Sequence, residues 1–329
     1  METKKNSRGY KEYFVKGKHL KLKKLKREAR ILDKKRKRYL FKDSIPPYPR
    51  PEFHVSHLQH DTDRGSLCWI HEDGGFKDPH GGSEEPPLVW WSLAVGPAEV
   101  QSAETRLLEQ TFPSRTKKQV RMQQNFLEEF ATSPAFSEKS RYGSYRFTFA
   151  LEEVLKAYRE QFCSGAPPVL RVFKTCLYKQ EVVYAVLVHS PDNNELFSDY
   201  PELPDDDLNA VCAYRRDQNI FIWRPEAMCG THWYELIEEP EKKWMHACGP
   251  FEYPEYYVWD HVAIALHVEN GEVLKFGSDQ LRQNLKFCEP GDVTITPKFY
   301  FDNFKEAQGV IESLWPDSPL GLDFAALCL

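Results

Sequence analysis

The first fifty residues hold 19 of the chain's 44 Lys and Arg but only 5 of its 49 Asp and Glu. They carry a formal charge of +14, which leaves −19 on the other 279 residues. Like charges at that density repel, and unpaired charges are costly to bury, so this stretch cannot build a core of its own. It has to be an arm in solvent or a surface laid over something else.

Its densest part is "LKLKKLKREARILDKKRKRYL" at 20–40. Lys, Arg, Leu and Glu are good helix formers, and Leu22, Leu25, Ala29 and Leu32 recur at a 3–4 spacing. A helix with a narrow apolar stripe is expected. The stripe ends at Arg36, and "SIPPYPRP" follows, with four prolines in eight residues. Proline fixes φ and has no N–H to donate, so this stretch reads as an extended linker. The sequence thus predicts a basic arm at 1–44, a proline-rich linker at 45–52 and a globular body at 53–329. A seam between two lobes is expected near "SGAPP" at 164–168.

The body has the means to pack: the chain is 41% hydrophobic and 14% aromatic. No apolar run approaches the roughly 18 residues that a membrane span needs, so no span is expected. No apolar N-terminal segment precedes a cleavage-type site, and eight cysteines are dispersed without Cys-x-x-Cys. Both features point to an intracellular chain with reduced thiols.

Apolar periodicity in the body alternates between the two types of element. Strands are predicted over 53–58, 88–95, 169–176 and 182–189, and over Tyr145, Phe147 and Phe149, which alternate. Helices are predicted over 68–72 (capped by Asp63 and ended by Gly74), from Gly96-Pro97 onward, over 116–131, 151–162, 278–287 and 303–315. Hairpins are expected at 211–223 around "RRDQN" and at 262–276 around Asn270-Gly271, a residue pair that tolerates positive φ. The fold class is α+β: a mixed or antiparallel sheet with hairpins and packed helices, preceded by the basic helical or disordered arm. A dinucleotide-binding core is disfavoured, because no Gly-x-Gly-x-x-Gly or phosphate-loop motif follows a strand.

The basic segment supplies the main functional expectation. Lys21, Lys23, Lys24, Lys26, Arg27, Lys34, Lys35, Arg36, Lys37 and Arg38 suit nucleic-acid phosphates, whose neutralisation releases counterions. The runs "KKLKR" and "KKRKR" also have the composition of a nuclear targeting signal read by the import machinery. The expected location is the nucleus, with the cytoplasm as alternative. The expected partner is nucleic acid or an acidic protein surface, the chain's own body included.

Three other clusters bear on chemistry. In "CGTHWYELIEEPEKKWMHACG", Cys229, His232, His246 and Cys248 could form a tetrahedral structural zinc site. The carboxylates Glu202, Asp205, Asp206 and Asp207 could hold a divalent cation, or form a capping loop. In "HVSHLQHDTD", a strand places His54 and His57 on opposite sides. The order of a strand bearing His54, a short helix and Gly74-Gly75-Phe76 distantly resembles the opening of ADP-ribosyltransferase-type domains over some 25 residues. That resemblance implies a strand histidine holding the dinucleotide ribose, and makes Glu269 a candidate for the family's acid. Convergence of His54, Tyr145 and Glu269 in one cleft would signal a transferase or hydrolase, with the arm as a targeting label. No Gly-x-Ser-x-Gly elbow is present.

Overall fold

In a computed structural model, residues 1–5, 11–32, 40, 47–79, 86–178, 181–227, 232–249 and 259–316 are described. β1 (Glu2–Lys5) and β2 (Lys11–Lys16) precede α1 (Leu22–Glu28). β3 (Phe53–Val55) and β4 (His57–Thr62) lead into α2 (Arg64–Asp73), β5 (Gly75–Phe76) and β6 (Leu88–Ala94). Next come α3 (Pro97–Thr111), α4 (Lys117–Met122), β7 (Tyr145–Ala150) and α5 (Leu151–Phe162). The second half contributes β8 (Val169–Tyr178), β9 (Glu181–His189), β10 (Cys212–Arg215), β11 (Ile220–Trp223), β12 (Trp233–Glu239), β13 (Lys242–Cys248) and β14 (Trp259–His267). The described chain closes with β15 (Leu274–Lys275), α6 (Ser278–Gln283), β16 (Leu285–Phe287) and α7 (Phe304–Leu314).

The architecture is α+β. A nine-stranded mixed sheet runs in the order β1-β2-β8-β9-β14-β6-β4-β7-β16, in which β9 and β14 pair in parallel and the other described neighbours are antiparallel. The smaller sheets are β10-β11-β3, β12-β13 and β15-β5. No helix among the described residues is long and apolar enough to cross a membrane.

Local signals shape many of these elements. Asp63 caps α2 by accepting from the Ser66 N–H, and Gly74 ends it at φ 68°, where a Cβ would be strained. Pro97 opens α3. Tyr145, Phe147 and Phe149 all point into the core, where each is fully buried.

Four elements differ from expectation. The strand expected over 53–58 breaks at Ser56, and its two parts, β3 and β4, join different sheets. The helix expected over 116–131 stops at Met122. Gln123 instead bonds its side chain to the Met245 backbone on both sides, and the Glu104 carboxylate takes the Phe126 and Leu127 N–H groups. The helix expected over 278–287 ends at Gln283, and residues 285–287 join the sheet edge beside β7. The turn at Gly271 forms at φ 85°, but no hairpin follows it. Both edges of β14 are already occupied, by β9 and β6, so β15 pairs with β5 instead.

The two faces of the large sheet differ. Alternation on the central strands sends Leu58, Trp91, Leu93, Tyr184, Val186, Ile264 and Leu266 into the main core. The opposite face carries Gln59, Asp61, Arg146, Trp90, Arg171, Lys174, Glu181, His261 and His267, many of them buried despite their polarity. Among the described residues, the main core draws on positions from Tyr13 to Trp315, on both sides of the 164–168 turn.

Candidate functional site

The described part of the basic segment is not set apart from the body. β2 pairs with β8, and Leu20, Leu22, Leu25 and Ala29 are buried in the main core. The apolar stripe legible in the sequence is therefore a docking stripe. Polar contacts fix it further. The Leu20 N–H donates to Thr175 Oγ1 at 2.9 Å, and Thr175 Oγ1 donates to the Lys18 carbonyl at 2.6 Å. Tyr184 Oη donates to the Leu20 carbonyl at 3.0 Å, and the Leu22 N–H donates to Glu226 Oε2 at 3.0 Å. His19 Nε2 lies 2.8 Å from the Ala185 carbonyl, and burial pushes this imidazole down to about 4. With its leucines inward, α1 leaves Lys21, Lys23, Lys24 and Arg27 exposed and Lys26 half-buried. Lys34, Lys35, Arg36, Lys37 and Arg38 lie outside the described residues. So does the first part of the expected proline linker, and within its described part Pro49 and Pro51 are buried.

His54, Tyr145 and Glu269 stand in three different settings. His54 sits on β3 in the small sheet. Its Nε2 is 2.9 Å from Glu52 Oε1, and its N–H donates to Glu99 Oε1 at 2.6 Å. Arg224 pairs with Glu52 at 2.6 Å and Arg106 with Glu99 at 2.5 Å, so His54 belongs to an ion cluster tying α3 to the small sheet. Tyr145 lies opposite Thr62, at the far end of the β3–β4 run from His54. Its hydroxyl donates to Asp302 Oδ2 at 2.5 Å, and that carboxylate also holds Arg64 in a two-point pair of 2.6 and 3.0 Å. Burial and the Asp302 charge push the Tyr145 hydroxyl above its ordinary range. Glu269 is exposed just beyond β14. His57 is exposed on β4, whose ladder belongs to the large sheet, so the two histidines stand in different sheets.

Of the expected zinc ligands, Cys229 lies outside the described residues. His246 and Cys248 share one face of β13, and His232 sits beside Phe130 with Glu129 at 3.5 Å. Among the described residues, no three His, Cys, Asp or Glu side chains are placed to hold a metal ion. The carboxylates at 205 and 206 face arginines instead: Asp206 pairs with Arg215 at 3.0 Å and Asp205 with Arg216 at 3.4 Å.

The strongest polar constellation forms no motif in the sequence. Glu181, Arg141 and His261 meet on the second face of the large sheet, each nine-tenths or more buried. Arg141 pairs directly with Glu181, and His261 Nε2 lies 2.9 Å from Glu181 Oε2. The guanidinium also lies 5.6 Å from the ring centres of Trp259 and Tyr142. Burial alone would raise the Glu181 carboxyl, but the Arg141 charge and His261 outweigh it and hold it at about 2. His261 Nε2 faces both the Glu181 carboxylate and the Arg141 guanidinium, while its Nδ1 is buried with no hydrogen-bond partner among the described residues. The one available signal was "WDHVAIALH", in which Asp260 and His261 interrupt an apolar strand.

Asp260 points to the opposite, apolar side. It accepts from the Ala227 N–H at 2.7 Å, the Glu226 N–H at 3.1 Å and Trp223 Nε1 at 3.3 Å. Burial nonetheless pushes its carboxyl from 3.8 up to about 7. A raised carboxyl favours the folded chain fully below about pH 4, and that contribution is lost as pH rises to about 7, by at most about 4 kcal/mol. The lowered His19 acts in the opposite sense, losing stability as pH falls from 6.5 towards 4. Comparison with Asp260→Asn cancels the histidine contribution. The stability of the native chain relative to this variant will shrink between about pH 4 and about pH 7 in urea titrations. A constant difference would mean that Asp260 titrates in the ordinary range. Set against known proteins, the chain matches no family model, no curated protein and no solved structure.

Proposed function

We propose that this chain is a nuclear interaction protein that contacts nucleic acid through its basic N-terminal segment, while the body serves as the module for a protein partner or ligand. The observation that carries the reading is the docking of α1 by Leu22 and Leu25, which leaves Lys21, Lys23, Lys24 and Arg27 in solvent. A basic face held by apolar contacts has its backbone already ordered, so binding need not fold the helix, and its exposed cations face solvent where phosphates can reach them. The runs at 23–27 and 34–38 also support nuclear targeting. The enzyme alternative called for His54, Tyr145 and Glu269 in one cleft, and their separate settings favour the interaction reading.

Deleting the segment would not test this, because β2 and the core leucines would go with it. Charge reversal at Lys21, Lys23, Lys24 and Arg27 leaves both in place. Fluorescence anisotropy with labelled oligonucleotides of about 20 residues will show affinity falling steeply between about 50 mM and about 200 mM salt. The four-site variant will bind at least about tenfold more weakly, and its salt slope will be shallower. Equal affinity and equal slope for the variant and the native chain would overturn the assignment.

A further inference from the structure

Two aromatic side chains stand in solvent on a single turn. Phe299 is 79% exposed and Tyr300 is 43% exposed, on the 3-10 turn Lys298–Tyr300. Their ring centres are 4.5 Å apart and tilted by 32°, so the two rings form one continuous apolar surface. Burying rings of this size is favourable, yet the fold holds this pair away from its core. The turn is also held firmly. Asp302, two residues on, receives the Tyr145 hydroxyl at 2.5 Å and the two-point contact of Arg64. Its carbonyl accepts from Ser144 Oγ at 3.0 Å. The Tyr145–Asp302–Arg64 network, at first sight a catalytic candidate, is thus the anchor that presents the rings. Two exposed lysines are near them along the chain, Lys298 on the turn itself and Lys305 in the first turn of α7, the latter followed by the exposed capping residue Glu306.

From this arrangement we infer that Phe299 and Tyr300 form a stacking platform for the bases of single-stranded nucleic acid, with Lys298 and Lys305 placed for the adjoining phosphates. An exposed aromatic face accepts any base, and neighbouring cations track the backbone, a pairing typical of single-strand binding without sequence preference. Duplex bases have no free face to offer. With rings 4.5 Å apart no base fits between them, so stacking takes place on the outer face of the pair. The inference rests on the nucleic-acid reading above but uses different residues. The chain entering α1 is held at Leu20 by β8 and β9, towards one edge of the large sheet, whereas the turn is anchored at β7, next to the opposite edge strand β16.

The test uses the full chain, a labelled single-stranded oligonucleotide of about 20 residues and the matching duplex. The Phe299→Ala/Tyr300→Ala variant will bind the single strand about tenfold more weakly, with unchanged salt slope and unchanged duplex affinity. Phe299→Trp, with Tyr300 kept, will retain native single-strand affinity, and ultraviolet crosslinking of the native complex will place the single strand on Phe299 or Tyr300. Both side chains are exposed, so the variants will keep the native unfolding midpoint. Equal single-strand affinity for the double alanine variant, or a crosslink mapping elsewhere, overturns the platform. The two assignments fail separately: loss in the aromatic variant without loss in the α1 charge variant rejects α1 alone, and the converse rejects the platform alone. Absence of any binding by the native chain rejects both.

Discussion

Replacing Glu181 by alanine will destabilise the chain by about 3–5 kcal/mol, because it leaves the Arg141 guanidinium charged in a site from which water is largely excluded. Arg141 is 6% exposed and His261 4% exposed, so neither can turn to solvent for compensation. The cation contacts to Trp259 and Tyr142 would remain, but ring faces attract a buried cation much less than a carboxylate does. Glu181→Gln keeps a hydrogen-bond acceptor and will lose less. Replacing both members, Glu181→Leu with Arg141→Met, will be milder than Glu181→Ala alone, because no charge is then stranded. Urea titrations followed by tryptophan fluorescence measure all three. A Glu181→Ala chain within about 1 kcal/mol of native stability would show that water or rearrangement solvates Arg141.

Leu25→Ala will cost about 2–4 kcal/mol, whereas Lys24→Glu beside it will change stability by less than about 0.5 kcal/mol. Leu25 is fully buried and Lys24 is exposed. On a detached arm both substitutions would be neutral, so the contrast measures whether the basic segment belongs to the fold. A chain starting at residue 33 will be worse still. It lacks β2, which exposes the edge of β8, and it lacks Leu20, Leu22, Leu25 and Ala29. Loss of a cooperative unfolding transition is the expected result. A cooperative transition at the native midpoint would mean that the arm is dispensable.

Much of the fold was legible because its causes are local. Asp63 and Gly74 bound α2 through bonds made within a few residues. Pro97 sets the start of α3, and the two-residue alternation of Tyr145, Phe147 and Phe149 needs only a sheet with one buried face. The basic face of α1 was legible for the same reason, since its stripe and its charges lie within two turns. The site was less legible. Phe299 and Tyr300 look in sequence like two more core aromatics, and only the path of the chain around Asp302 leaves them outside.

What the sequence determined by itself was the class of elements, their caps and the segregation of charge, because each depends on neighbours a few residues away. The tertiary structure alone decided the partnerships. Asn270-Gly271 makes its turn, but β14 has no free edge and β15 pairs elsewhere. The leucines of the basic segment are too few to form a core, yet enough to complete one that other strands provide. Glu181 and His261 lie 40 and 120 residues from Arg141 along the chain, yet both meet its guanidinium. Contacts at such separation depend on which edges and apolar surfaces remain open once the rest of the sheet is built.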